Sequence, residues 1–186
     1  KTFINNAIHG GTMSNILKAA IIILILSANP DLCFAFSNPI DVAYDETRYR
    51  YLVTNKFSGI IDQIDSLGNV TAFATVPPNA EGLVVRNDTL FVVSHGLTAL
   101  SLETAAQIFH LDLPGQVGLS DVVLDTSGNV YISDYLSNNI YKVHLSDLSI
   151  TIIVEGFASV NGLHFDAKNN RILVTQWLED SPLSEI

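Results

Sequence analysis

Apolar residues in this chain fall in short bursts separated by turn-forming residues. The clearest pair of bursts lies in residues 119–134, LSDVVLDTSGNVYISD. Val122, Val123 and Leu124 form an apolar run. Asp125, Thr126, Ser127, Gly128 and Asn129 then supply turn chemistry. The Asp carboxylate bonds nearby backbone N–H groups, and Gly accepts the positive φ that lets a hairpin close. Val130, Tyr131, Ile132 and Ser133 resume with β-branched and aromatic residues. The stretch reads as strand, tight turn, strand.

The same unit is written in three other places. The first copy, residues 38–76, predicts strands at 40–44, 50–54, 59–65 and 70–76, the third of them alternating apolar and polar. The second, residues 80–114, predicts strands at 81–85, 90–94, 99–102 and 107–111. Its turn at Glu103 and Thr104 lacks the usual Gly. The third, residues 118–156, adds strands at 139–143 and 149–154 to the opening hairpin. The fourth, residues 159–177, offers strands at 161–166 and 171–176, and residues 177–186 are not expected to supply two more.

Ile40, Glu81, Ser120 and Asn161 hold one repeat position, at intervals of 41, 39 and 41 residues. Asn55, His95, Asp134 and Gln176 hold a second, 14 or 15 residues later. Four short strands per roughly 40 residues is the signature of an all-β propeller blade, a four-stranded antiparallel sheet. A β-sandwich is the runner-up. One blade cannot bury both of its faces, so its neighbours must do so. About three and a half blades read as the N-terminal fragment of a six-bladed ring, which needs roughly 80–100 more residues. Such a fragment is expected to form an open arc with an unpaired edge at 161–176, and to aggregate when expressed alone.

The N-terminus reads differently. After Met13 and Lys18, residues 19–28 (AAIIILILSA) form an apolar run too short to span a bilayer, and Pro30 follows. Residues 1–37 are therefore expected to be an extension and signal peptide cleaved near Ala35. Residues 38–186 are the partial propeller. A membrane anchor or buried helix is the other reading of the run. The expected location is secreted or periplasmic, with no stable membrane span after cleavage. Cys33 is the only cysteine. Its loss with the signal leaves no disulfide and no thiol nucleophile.

Composition narrows the partners. Nine Lys and Arg against 19 Asp and Glu give a net charge of −10. Such a surface repels phosphate backbones, so nucleic acid is not an expected partner. The expected partner is a small molecule or protein at the propeller axis.

"GLSDVVLDTSGNVYISD" and "VNGLHFDAKNNRILVT" resemble blades of the senescence-marker-protein/gluconolactonase family and its NHL-repeat relatives. The resemblance covers about residues 38–177. It implies a six-bladed propeller, and, for the family's lactonases, one divalent cation, usually calcium, at the channel mouth. It implies cation ligands at the starts of innermost strands: a Glu in the first blade, an Asn in the fourth and an Asp in the fifth. A substrate-binding Asn starts the third. Asn161 matches the fourth-blade ligand. Ser120 stands where the substrate-binding Asn would be, and Ile40 where the Glu would be. Glu81 carries a carboxylate in the same register, one blade along.

The candidate residues follow. Glu81 is a candidate cation ligand or general base, and Asn161 a candidate ligand or a turn-capping side chain. Ser120, Asp121, His95 and Asp134 are candidate ligand-binding residues, the last two also readable as strand-end groups that bind loop backbone. Ser120 lacks the following Gly of a nucleophile elbow. His110, His144 and His164 show no metal-binding spacing. Two functions stay open: a secreted binding propeller, and a metal-dependent lactone or ester hydrolase.

Overall fold

A computed structural model describes residues 36–176 and 184–185. The first sheet holds β1 (Pro39–Asp45), β2 (Arg50–Asn55), β3 (Ile60–Ile64) and β4 (Val70–Thr75). The second holds β5 (Leu83–Arg86), β6 (Thr89–Val93), β7 (Leu97–Ser101) and β8 (Gln107–Leu111). The third holds β9 (Leu119–Leu124), β10 (Asn129–Asp134), β11 (Asn139–His144) and β12 (Ile150–Val154). In each, consecutive strands pair antiparallel, in the order of the chain. The fourth sheet holds β13 (Val160–Asp166), β14 (Arg171–Gln176) and β15 (Ser184–Glu185).

β15 corrects the expectation of an unpaired edge over residues 161–176. The chain beyond residue 176 does supply a short third strand, with Leu173 opposite Glu185 and Val174 opposite Ser184. The open edge of β14 carries unpaired backbone groups that a returning segment can satisfy. The signal-like run, Cys33 and the expected cleavage site lie outside the described residues. Among the described residues no helix is long and apolar enough to cross a membrane.

The sheets stack face to face around an axis. Their first strands, β1, β5, β9 and β13, adjoin one another in turn. Successive side chains of a strand point to opposite faces, and here both faces are covered. Leu90 and Val92 of β6 pack with Leu52 and Ile61 of the first sheet. Phe91 and Val93, the alternate residues of the same strand, pack with Val122, Val130 and Ile132 of the third. A third layer joins Val123 and Ile140 to Leu163, Phe165, Ile172 and Val174. Burial of both faces explains the near-continuous apolar runs of the middle strands. It also excludes a two-sheet sandwich. The fourth strands, β4, β8 and β12, are the exposed rim of each blade.

Candidate functional site at the blade axis

The inner strands start irregularly. Pairing of β1 with β2 slips between Pro39 and Val42, and pairing of β13 with β14 slips between Val160 and Leu163. β9 slips against β10 between Ile132 and Asp134. Each slip releases the leading residues from the ladder, as a bulge does, and re-aims their side chains. In the second blade Glu81 lies just before β5.

Ile40, Glu81, Ser120 and Asn161, one from each blade, line a single cavity of about 260 Å³. Asp41, Gly82 and Asp121, the residues that follow three of them, complete its wall together with Lys56 and Tyr135. Lys56 and Tyr135 were not read from the sequence as site residues. The available signal was positional: each follows the second repeat register, after Asn55 and Asp134.

Hydroxyls hold the leading residues in place. Thr54, Ser94, Ser133 and Thr175 share one register at the end of the second strands. The backbone N–H of Asp41 donates to Thr54 Oγ1 (3.2 Å), that of Asp121 to Ser133 Oγ (3.0 Å), and that of Gly162 to Thr175 Oγ1 (3.0 Å). Thr54 then donates across the blade boundary to the Glu81 carbonyl at 2.7 Å, and Ser133 donates to the Asn161 carbonyl. Ser94 Oγ is buried and has no hydrogen-bond partner among the described residues.

Asp41 and Asp121 are staples between blades. Asp41 Oδ1 accepts from Val42 N (2.8 Å) and Oδ2 from Leu83 N of the next blade (3.0 Å). Asp121 repeats this with Val122 N and Leu163 N, both at 2.8 Å. Asp121 is therefore at the cavity, with its carboxylate bound to backbone. The even blades carry Gly at this position. Gly82 N donates to the Ser120 carbonyl at 2.8 Å. A Cβ on Gly82 would lie 2.8 Å from Asp121 Cα, so only Gly permits this approach.

Glu81 is 9% exposed, and its carboxylate is paired with the Lys56 ammonium from the preceding blade. Burying a carboxylate is costly unless a partner and hydrogen bonds compensate. Lys56 supplies that partner.

His95 and Asp134, read from the sequence as candidate ligand-binding or loop-binding residues, do not line this cavity. Asp134 is fully buried, and its Oδ2 accepts from Val117 N at 2.7 Å. Its Oδ1 accepts from Gly118, Leu136 and Ser137 N at 2.9–3.1 Å. His95 is exposed, with Nε2 3.3 Å from Asn79 Nδ2. In the same register Asn55 Oδ1 accepts from Ser37 N (2.8 Å), and Gln176 Nε2 donates to the Ala158 carbonyl (3.0 Å). All four side chains reach back to the loop entering their own blade. The end of the second strand lies beside that loop, so this register is spent on anchoring it.

A calcium ion takes six to eight oxygens. Glu81 is held by an ammonium, Asp41 and Asp121 are held by backbone N–H groups, and Ile40 has no donor. Among the described residues no group of three or more His, Cys, Asp or Glu side chains could hold a metal ion. As arranged, these residues do not fit a calcium ion.

Four-stranded antiparallel sheets stacked radially, with leading residues at a shared cavity, define a β-propeller. No protein-family model matches the chain, and no curated protein matches it in sequence. Solved structures do match. A gluconolactonase from Xanthomonas campestris is 14% identical with a TM-score of 0.69, over 81% of this chain and 58% of that one. A catalytically inactive virginiamycin B lyase from Staphylococcus aureus, solved with quinupristin, is 17% identical with a TM-score of 0.65, over 75% and 48%. A chain of a nidogen/laminin complex is 20% identical with a TM-score of 0.66, over 74% and 56%. The chain spans about half the length of these structures. It has the propeller fold shared by gluconolactonase-like and NHL-type proteins.

Proposed function

We propose that this propeller binds a small hydroxylated molecule in the axial cavity. The observation that carries the reading is convergence: one leading residue from each of four blades lines the same cavity, with Lys56 and Tyr135. Concave sites with a few convergent polar groups are the usual form of small-molecule pockets. Lys56 donates, Glu81 accepts, and Ser120 and Asn161 do both. Ile40 and Tyr135 offer apolar surface. A ring bearing several hydroxyls matches that mixture.

The test is calorimetry of the full chain against a panel of polyols, sugar acids and their lactones. Binding is expected for at least one member, weakened about tenfold or more by Glu81→Gln or Asn161→Ala, from the loss of a hydrogen bond to a charged or polar group. Exposed Leu67, in the β3–β4 turn, serves as the control position. Binding that neither substitution alters would overturn the proposal, as would no binding across the panel.

A second reading, lactone hydrolysis, is supported by the likeness in fold to a gluconolactonase. In it Glu81 takes a proton from the attacking water. Release of acid from a gluconolactone, lost in Glu81→Gln, would support it. Turnover equal to that of Glu81→Gln would remove it.

A further inference from the structure

Among the described residues, three carboxylates, those of Asp41, Glu81 and Asp121, line the axial cavity, and Lys56 is the one cationic side chain in its wall. Two of the carboxylates are answered by backbone N–H groups. Glu81 is answered by Lys56. The pair joins two blades: Lys56 follows β2 of the first, and Glu81 precedes β5 of the second. Neither side chain can leave without exposing the other to an uncompensated charge in a mostly buried site.

We infer that Lys56 is the built-in counter-cation of this cavity, and that it closes to divalent metal a site the surrounding oxygens would otherwise form. A metal ion and the Lys56 ammonium compete for one carboxylate. The ammonium is tethered, so it holds the position without drawing on free ion. Without it, Glu81, Asn161 and Ser120 present a carboxylate, an amide oxygen and a hydroxyl to one space, near the negative charges of Asp41 and Asp121. A hard cation there would take these donors in part and complete its six to eight oxygens with water. The Lys56–Glu81 pair sets the charge of the cavity whichever ligand the cavity takes.

Terbium luminescence reads the site directly, because Tyr135 lines the same cavity and can pass its excitation to a bound lanthanide. The full chain is titrated with terbium and then with competing calcium. In the wild-type protein, Glu81→Gln is expected to leave the terbium signal unchanged. Lys56→Met is expected to gain a calcium-displaceable site, at least tenfold tighter than any in the wild type. Adding Glu81→Gln to Lys56→Met should remove that gain, and Lys56→Arg should not produce it. A wild-type signal that Glu81→Gln abolishes would show that metal already binds beside Lys56, and would overturn the inference. No gain in a folded Lys56→Met would overturn it as well. If Lys56→Met does not fold, Lys56→Gln, which keeps a polar group facing Glu81, takes its place under the same criteria.

Discussion

At the scale of single residues, this protein is built by what one position does in successive blades. The residue after the leading one is Asp41, Gly82, Asp121 and Gly162. The acids reach across to the next blade's backbone, and in the second blade the glycine lets the third blade's backbone come close. Gly82 shows why the alternation is not decorative. Its Cβ would meet Asp121 Cα, Val122 N and the Ser120 carbonyl at 2.8–3.0 Å, all of them backbone atoms that cannot rotate away. Gly82→Ala is expected to destabilise the protein by about 1–3 kcal/mol, the usual range for overpacking. Chemical unfolding with an unchanged denaturant slope is the check, and a midpoint equal to that of the wild type would refute the packing argument. Asp134 and His95 teach a related lesson. Their residue types look functional, but their register places them beside an incoming loop, and the structure uses them there.

At the scale of elements, the turns carry most of the sequence signal. The pentads Asp65-Ser66-Leu67-Gly68-Asn69 and Asp125-Thr126-Ser127-Gly128-Asn129 form the same turn, with Asn69 N and Asn129 N donating to the acid at 2.9 and 2.8 Å. The turn at Glu103 and Thr104, without a glycine, closes by other means. Ala105 takes the positive φ of 61°, and Ser101 Oγ accepts from the N–H groups of Glu103 and Thr104. Tyr49, Gly128 and Asn170 each come immediately before the second strand of their blade and have positive φ, and in the second blade Asn87 takes the positive φ at the first position of a two-residue turn. Tyr49 is the misfit, since a bulky L-residue pays about 1–2 kcal/mol there. It is also 67% exposed, so little packing is lost by replacing it. Tyr49→Asn is expected to raise stability by about 0.5–1 kcal/mol. Thermal melting tests this, and a lower melting temperature would mean that the tyrosine ring makes a contact worth more than the backbone strain.

At the scale of the whole molecule, stability depends on acids distributed over three blades. Hydrogen bonds from Asn69 hold the Asp65 carboxyl below its ordinary value of 3.8, and bonds from Ser149 and Asn169 do the same for Asp147 and Asp166. Burial pushes Asp125 up, but donors on Asn129 and Tyr131 outweigh it and the net shift is downward. Carboxyls with lowered folded pKa values contribute stability above the unfolded value, and that contribution is lost as pH falls through the folded one. Asp62 has the opposite sign: burial raises it despite a bond from Asn55, so its contribution is present at acid pH and lost as pH rises. The melting temperature should therefore drop below about pH 3.8. Asp62→Asn should gain on the wild type at neutral pH and lose that advantage in acid. An acid-insensitive melting curve would contradict the assignment. The repeat itself was legible in the chain, because hydrophobic period, turn residues and 39–41-residue spacing are local quantities. The convergence of Ile40, Glu81, Ser120 and Asn161 could be anticipated from their shared register. Lys56 and Tyr135 could not, because their role depends on blades that are neighbours in space. The chain by itself determined strands, turns and the unit they compose, since those follow from backbone sterics and side-chain alternation. Only the tertiary structure decided which charge meets Glu81, because an ion pair depends on distance between blades, and the sequence records no such distance.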